Sequence, residues 1–102
     1  RWRGDLRRMI DIESILRLRP VPATFLGAQF LVARPTLLDL TTAVELNTTS
    51  TACARRWCLA RHLRYLDGTP VFVDADAADG CPAALAQVAI PFIEGLYSEG
   101  SD

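Results

Sequence analysis

The sequence predicts an α+β fold: an N-terminal β-hairpin packed on a small bundle of about three to four helices, in a single domain spanning residues 1–102. Three observations carry this reading. The stretch ATFLGAQFLVA is two short β-prone runs divided by Gly27. From Pro35 onward, apolar residues recur at three- and four-residue steps, the period of a helix with one buried face. A chain of 102 residues, half of them hydrophobic, can build one core, although at this size only roughly 60–70% of the unfolded surface is buried. A core that thin is often completed against a partner.

Taken in order, residues 9–18 (MIDIESILRL) place Met9, Ile12, Ile15, Leu16 and Leu18 at the spacing of a short amphipathic helix. Pro20 and Pro22 end it, because proline disfavours helical backbone in the residue before it. Residues 1–8 read as flexible or appended sequence, with Met9 a natural start, and residues 99–102 as a flexible tail. The hairpin strands are expected at 23–26 and 29–33, joined by a turn without an Asn-Gly or Asp-Gly signature. Thr36 and Asp39 make a capping-box-like pair at the start of a helix whose Leu37, Leu40 and Val44 share one face. A polar break at 47–50 leads to Ser50 or Thr51 as the cap of the next helix, expected over residues 51–66. Ala52, Leu59, Leu63 and Leu66 form its apolar stripe, with Arg61 and Arg64 on the far side and Trp57 beside them. Asp67-Gly68 stops that helix through a left-handed glycine cap. Val71, Phe72 and Val73 read as a short strand. Pro82 sits in the first turn of the last helix, whose stripe is Leu85, Val88, Phe92 and Leu96. Pro91 inside that pattern should kink or split the helix near Ile90.

Charge is distributed unevenly behind a net of −1. Residues 1–19 and 20–66 are each net +3, whereas residues 67–102 carry seven acids and no base. The asymmetry suits either a charge-steered interface or neutralisation within the fold. All eleven bases are Arg. Three Cys, an odd number in helix-like sequence, do not form a disulfide framework and point to a reducing, cytoplasmic setting. No apolar run approaches the roughly 20 residues that span a bilayer, so no membrane partner is expected.

The constellations that resemble chemistry weigh against it on inspection. Asp74, Asp76, Asp79 and Gly80 imitate a calcium loop, but position 12 counted from Asp74 is Leu85, where a closing carboxylate is needed. The acids read as caps and solvated loop residues. Cys58 and His62 are four apart on a helix, yet Cys53 points elsewhere on that helix and no C-x-x-C is present, so no zinc site is expected. His62, the sole histidine, lacks an oxyanion element or an orienting acid in pattern. No catalytic residue, no metal and no cofactor is expected, and the chain reads as a non-enzyme. Arg55, Arg56, Arg61 and Arg64 with Trp57 resemble a phosphate-binding helix, but they ring the helix rather than form a stripe. Nucleic acid is thus an unfavoured partner. Trp57 and Arg61, four apart, can instead stack as a cation–π pair. The partner-binding candidates are Trp57, Arg61, Arg64, Tyr65, Phe92 and Leu96, on apolar or mixed helix faces.

The order of elements resembles the small tail assembly chaperones of long-tailed bacteriophages and prophages. The matching positions are Leu66, Asp67, Gly68, Pro70, Phe72, Asp74, Asp76, Pro82, Ala83 and Leu85, within a likeness that covers roughly residues 24–98. The chain departs from the family pattern in its single acid before Gly68, in Pro91 and in its last residues. The resemblance implies a chaperone in the host bacterial cytoplasm that binds the tape-measure protein and recruits tail-tube subunits, without chemistry or cofactor; a homo-oligomer is a separate expectation for the chain. It also implies that a short chain is the form not extended by translational frameshifting. The competing readings are a small nucleic-acid-binding regulator that uses the Arg-rich helix, and another virion component such as a head-tail adaptor.

Overall fold

The computed structural model describes residues 19–99, so the helix expected at residues 9–18, the terminus at 1–8 and the tail beyond Glu99 lie outside the described residues. Within them the α+β expectation is met. Strand β1 (Val21–Phe25) and strand β2 (Ala28–Val32) form the hairpin, and a two-residue strand β3 (Leu63–Arg64) completes an antiparallel sheet ordered β1-β2-β3. Helices α1 (Leu37–Thr49) and α2 (Thr51–His62) precede β3, and α3 (Ala75–Ala78) and α4 (Ala83–Glu99) follow it.

The hairpin register runs from Val21↔Val32 to Phe25↔Ala28. Leu26 (φ 54°) and Gly27 (φ 81°) both adopt left-handed backbone. Two such residues in a two-residue loop are what the right-handed twist of the flanking strands selects. Pro22 is tolerated because β1 is an edge strand and has no outward ladder to donate to. Val21, Ala23 and Phe25 turn inward while Pro22 and Thr24 face out, the period-two pattern of a sheet with one covered face. Phe25 meets Phe30 at 5.9 Å and stands edge-on to Phe92 at 5.5 Å, which seats the hairpin on α4.

Helix α2 is shorter than its sequence suggests. It ends at His62, and Leu63, expected as a helical stripe residue, pairs instead with Val32 in β3. Both members of that pair are fully buried, so the cross-strand contact outweighs continued helix. The buried face of α2 is accordingly Ala54, Cys58, Leu59 and His62, while Leu66 lies 58% exposed beyond the strand. Gly68 has the positive φ expected of it (+90°), but in a tight turn rather than a helix cap: its N–H donates to the Tyr65 carbonyl, and Thr69 accepts from Tyr65 through its own. The strand expected at Val71, Phe72 and Val73 does not form. Only a bridge between Arg64 and Pro70 extends the sheet, and Val73 projects into solvent.

The acidic ladder does the capping foreseen for it. Asp74 Oδ1 accepts from the Ala77 N–H at 2.8 Å at the start of α3. Asp79 meets Arg56 at 3.3 Å, joining the acidic end of the chain to α2. Helix α4 begins directly after Pro82 and is continuous through Pro91, so the expected split is absent, and it still runs at Glu99. Its buried residues are Ala89, Ile93 and Leu96; of the expected stripe, Leu96 is buried, Leu85 and Phe92 pack half-buried against the core, and Val88 lies at the surface. The core gathers Phe25, Val32, Leu59, Leu63, Ala89 and Ile93 between sheet, α2 and α4.

Leu26 is strained for want of a side chain suited to left-handed backbone. Leu26→Asn, which restores an Asn-Gly turn, should raise stability by about 1 kcal/mol, the cost of left-handed backbone to a branched residue. Gly68→Val should lower the melting temperature although a Cβ there meets nothing within 4 Å, because only the backbone angle forbids it. Thermal melts of both variants in parallel check the pair, and a Leu26→Asn variant less stable than the parent would contradict the turn assignment.

Candidate functional site

The feature that sets this molecule apart is the orientation of α1. Its N-terminus is closed by the capping box seen in the sequence: the Thr36 hydroxyl accepts from the Asp39 N–H at 3.2 Å, and Asp39 Oδ2 accepts from the Thr36 N–H at 2.9 Å. Asp39 is also the buried residue of the helix, 4% exposed, and its other oxygen accepts from Arg61 Nε on α2 at 3.0 Å. At about 100° per residue, Leu37 and Val44 lie roughly 140–160° round the helix from Asp39. Turning the carboxylate inward therefore turns the leucines outward. Leu37 is 79% exposed, Leu38 73%, Leu40 44% and Val44 55%. The apolar face read from the sequence is the face presented to solvent.

That face borders a groove of about 230 Å³ between α1, α2 and α4. Leu40 and Val44 form one wall, Ala54 and Cys58 the floor, and Ile90 and Tyr97 the other wall. Arg55 and Glu94 bring one charge of each sign to its lining. Apolar surface with a few flanking charges suits an amphipathic helix laid along it. The sequence signal was available in the 37, 40, 44 spacing, but nothing local says which side of a helix meets the body of the protein.

The predicted site residues fall in three places. Trp57, Arg61 and Arg64 line one shallow pocket with Pro70, Val73 and Asp74. Tyr65 is half-exposed on the loop after β3 and does not join them. Phe92 and Leu96 are core constituents, Phe92 against Phe25 and Leu96 among the buried residues of α4. The expected Trp57–Arg61 stack gives way to two other contacts: Arg61 turns to Asp39, and the Trp57 ring stands edge-on to His62 at 5.9 Å. Arg64 is occupied by the carbonyls of Gly68 and Arg61.

His62 is fully buried and fully bonded. Its Nδ1 lies 2.7 Å from the Ala33 carbonyl, which can only accept, so Nδ1 carries the proton. Nε2 then accepts from the Tyr97 hydroxyl at 2.5 Å. Burial, ahead of the Ala33 hydrogen bond and nearby charges, holds the imidazole below its ordinary pKa and keeps it neutral. An imidazole so engaged is a structural tie rather than a free base. Among the described residues no three His, Cys, Asp or Glu side chains come together as a metal site. No described helix is long and apolar enough to cross a membrane.

The three thiols are free and differ in character. Burial pushes Cys58 up to about 11 and raises Cys81. Cys53, in the first turn of α2, is held below the usual thiol range by the Ser50 hydroxyl and the Arg56 guanidinium, which donates from 3.2 Å. Alkylation by iodoacetamide at pH 7.5, mapped by mass spectrometry, should label Cys53 first and Cys58 last, and preferential labelling of Cys58 in the folded protein would contradict this packing.

The Asp39–Arg61 pair sets a second expectation. Burial of Asp39 disfavours its charge, but the Thr36 N–H and the Arg61 guanidinium outweigh it and hold the carboxyl below its ordinary value. Breaking a buried pair costs about 3–5 kcal/mol. The Arg61 side chain is 35% exposed, so solvent screening lowers the expectation for Arg61→Ala to about 2 kcal/mol. The sign with pH follows from linkage. A depressed folded pKa for His62 gives stability that is full above about pH 6.5 and declines as acid charges the unfolded chain. A depressed Asp39 gives stability present above about pH 4 and lost as pH falls through its folded pKa. Chemical denaturation at pH 7, 5 and 3.5 should show both steps in the parent and a smaller acid step in Arg61→Ala.

No protein-family model, no curated protein and no solved structure matches this chain, so its groove and exposed helix stand on their own geometry.

Proposed function

We propose that this protein is a non-enzymatic assembly chaperone that holds an amphipathic helix of a client protein in the groove between α1, α2 and α4. The observation that carries the reading is the outward leucine face of α1. Four large apolar side chains are exposed on one short helix, and two of them, Leu40 and Val44, line the groove; exposed apolar surface of this kind is what domains present to partners. The likeness to phage tail assembly chaperones supplies the client: the tape-measure protein, a long helical chain in need of cover before assembly, with tail-tube subunits recruited afterwards and the host bacterial cytoplasm as the setting.

The arginines support this reading over nucleic-acid binding. Arg56 is taken by Asp79, Arg61 by Asp39, and Arg64 by two backbone carbonyls. That leaves Arg55 as the exposed cation of α2, on the lining of an apolar groove rather than at the centre of a basic stripe. The sole histidine is committed to Ala33 and Tyr97, which agrees with a protein that performs no acid–base chemistry.

Co-expression with the tape-measure protein of the same genome should yield a soluble complex that copurifies. Apolar contacts should keep it together at about 0.5 M salt, where surface charges are screened within a few Å, whereas duplex DNA held by arginines would be released steeply as counterions return. The variant Leu37→Ser with Val44→Ser should lose client by roughly thirtyfold or more, as for removal of a central apolar anchor. It should keep its melting temperature, since exposed substitutions fall within about 0.5 kcal/mol. Salt-sensitive DNA capture without client retention would sink the proposal.

A further inference from the structure

We propose that the pocket on the Trp57 side of α2 is a second binding site, which takes the carboxylate side chain of an acidic peptide segment flanked by apolar residues. It does not rest on the groove being a docking surface, because the two lie on different faces of α2.

Trp57, Arg61 and Arg64 meet Pro70, Val73 and Asp74 around a space of about 370 Å³. At about 100° per residue, Trp57, Ala60 and Arg61 sit roughly a third of a turn round the helix from Ala54, Arg55 and Cys58, which line the groove. The pocket exists because the chain leaves α2 at Leu63, turns at Gly68 and returns through the Arg64–Pro70 bridge. That return lays Pro70, Val73 and Asp74 alongside the helix.

The contacts that restrain these arginines leave part of their donors unused. Arg61 bonds Asp39 through Nε alone, and its Nη hydrogens have no partner among the described residues. The Arg61 side chain is 35% exposed whereas that of Asp39 is 6% exposed, so the Nη end is the part that reaches the surface. That end is a planar fork of parallel N–H groups, the geometry that grips a carboxylate by two hydrogen bonds. Arg64 is held in place beside it by its Nη bonds to the Gly68 and Arg61 carbonyls, with its Nε–H unused. The indole N–H of half-buried Trp57 also lacks an acceptor and is not sealed from solvent. Unmet donors from three neighbouring side chains thus line one pocket.

Charge and shape select the ligand. Two guanidinium groups and one carboxylate leave the lining with a single net positive charge, which one incoming carboxylate matches. A phosphate backbone carries a charge at every link and would run its remaining charges against Asp74 and the neighbouring exposed Asp76. Asp74 spends Oδ1 on the Ala77 N–H and keeps its second oxygen to accept from a peptide N–H. The pocket is shallow, and its Val73 rim is 81% exposed. Sites for small molecules enclose most of their ligand. A shallow one suits a side chain presented by a larger partner, whose apolar neighbours cover Val73, Pro70 and the indole.

The experiment uses the full chain with Trp2→Phe, which leaves Trp57 as the single indole. In isotope-labelled protein the Trp57 indole N–H resonance is followed by NMR during titration with acetyl-Gly-Leu-Glu-Leu-Gly-amide. The resonance should shift saturably, and the same peptide with Gln in place of Glu should bind roughly tenfold more weakly or worse, the loss expected when a charged hydrogen-bond partner is made neutral. Val73→Glu places a like charge at the rim and should weaken the Glu peptide by a similar factor, whereas Val73→Lys should not. Both variants should keep the parent melting temperature because the position is exposed. Equal binding of the Gln peptide, an indifferent Val73→Glu variant, no shift at all, or a larger shift with duplex DNA than with the Glu peptide would each overturn the inference. None of these outcomes touches the groove, so the functional reading stands or falls separately.

Discussion

The buried imidazole of His62 is the contact on which the rest of this small fold depends. It stands where α2 stops and β3 starts, so its ring and backbone serve the helix, the sheet and α4 together. The backbone carbonyl accepts from Ala33, the ring returns a proton to the Ala33 carbonyl, and the second ring nitrogen accepts from Tyr97. Trp57 closes the remaining side edge-on. A leucine in this place would fill the space, but it would leave the Ala33 carbonyl and the Tyr97 hydroxyl without these partners. Unmade hydrogen bonds in a core cost more than made ones contribute. The thin core is thus held at its centre by polar complementarity, with apolar packing of Val32, Leu63 and Ile93 arranged around it.

From that junction the placement of α1 follows. With α2 anchored at its C-terminal end, Arg61 projects from the last turn toward Asp39, and the carboxylate draws the polar side of α1 onto the body. The helix therefore sets Asp39, with half-buried Ala43 and Leu46, against the body and displays Leu37, Leu38 and Leu40. An amphipathic helix usually lies the other way round, because burying leucine is worth about 1.5–3 kcal/mol and burying aspartate is costly without a partner. The reversed arrangement leaves that apolar stabilisation unclaimed by the described fold and available to whatever occupies the groove.

How far the sequence disclosed this is a matter of range. The caps of Thr36, Ser50 and Asp74 were legible because each bonds within three residues of itself. The hairpin was legible from alternation about Gly27, and the need of Gly68 for left-handed backbone from its setting after Asp67. The early end of α2 was not, since the pairing of Leu63 with Val32 joins residues far apart in the chain and overrides a good helical pattern. The absence of a strand at Val71, Phe72 and Val73 has the same origin: β-prone side chains need a free sheet edge in register, and the sheet offers them a single bridge at Pro70. The candidate site was half visible. The leucine spacing of α1 stood in plain sight, but its direction hangs on Asp39 and Arg61, which lie 22 positions apart.

Ser50 alone separates α1 from α2, and it serves both: its N–H donates to the Leu46 carbonyl at the end of one helix, and its hydroxyl accepts from the Cys53 N–H at the start of the next. With extended backbone between two helical rods, it is the elbow of a lever. The 13 residues of α1 make an arm about 20 Å long, so a turn of roughly 30° at Ser50 carries the Leu37 end through about 10 Å. Because one residue closes both helix ends, a large rotation at the elbow disturbs two caps together, and the arm is restrained from small, gradual drift. The width of the groove is thus set by a single pair of backbone torsions at Ser50, with the Asp39–Arg61 pair as the second point that fixes the arm.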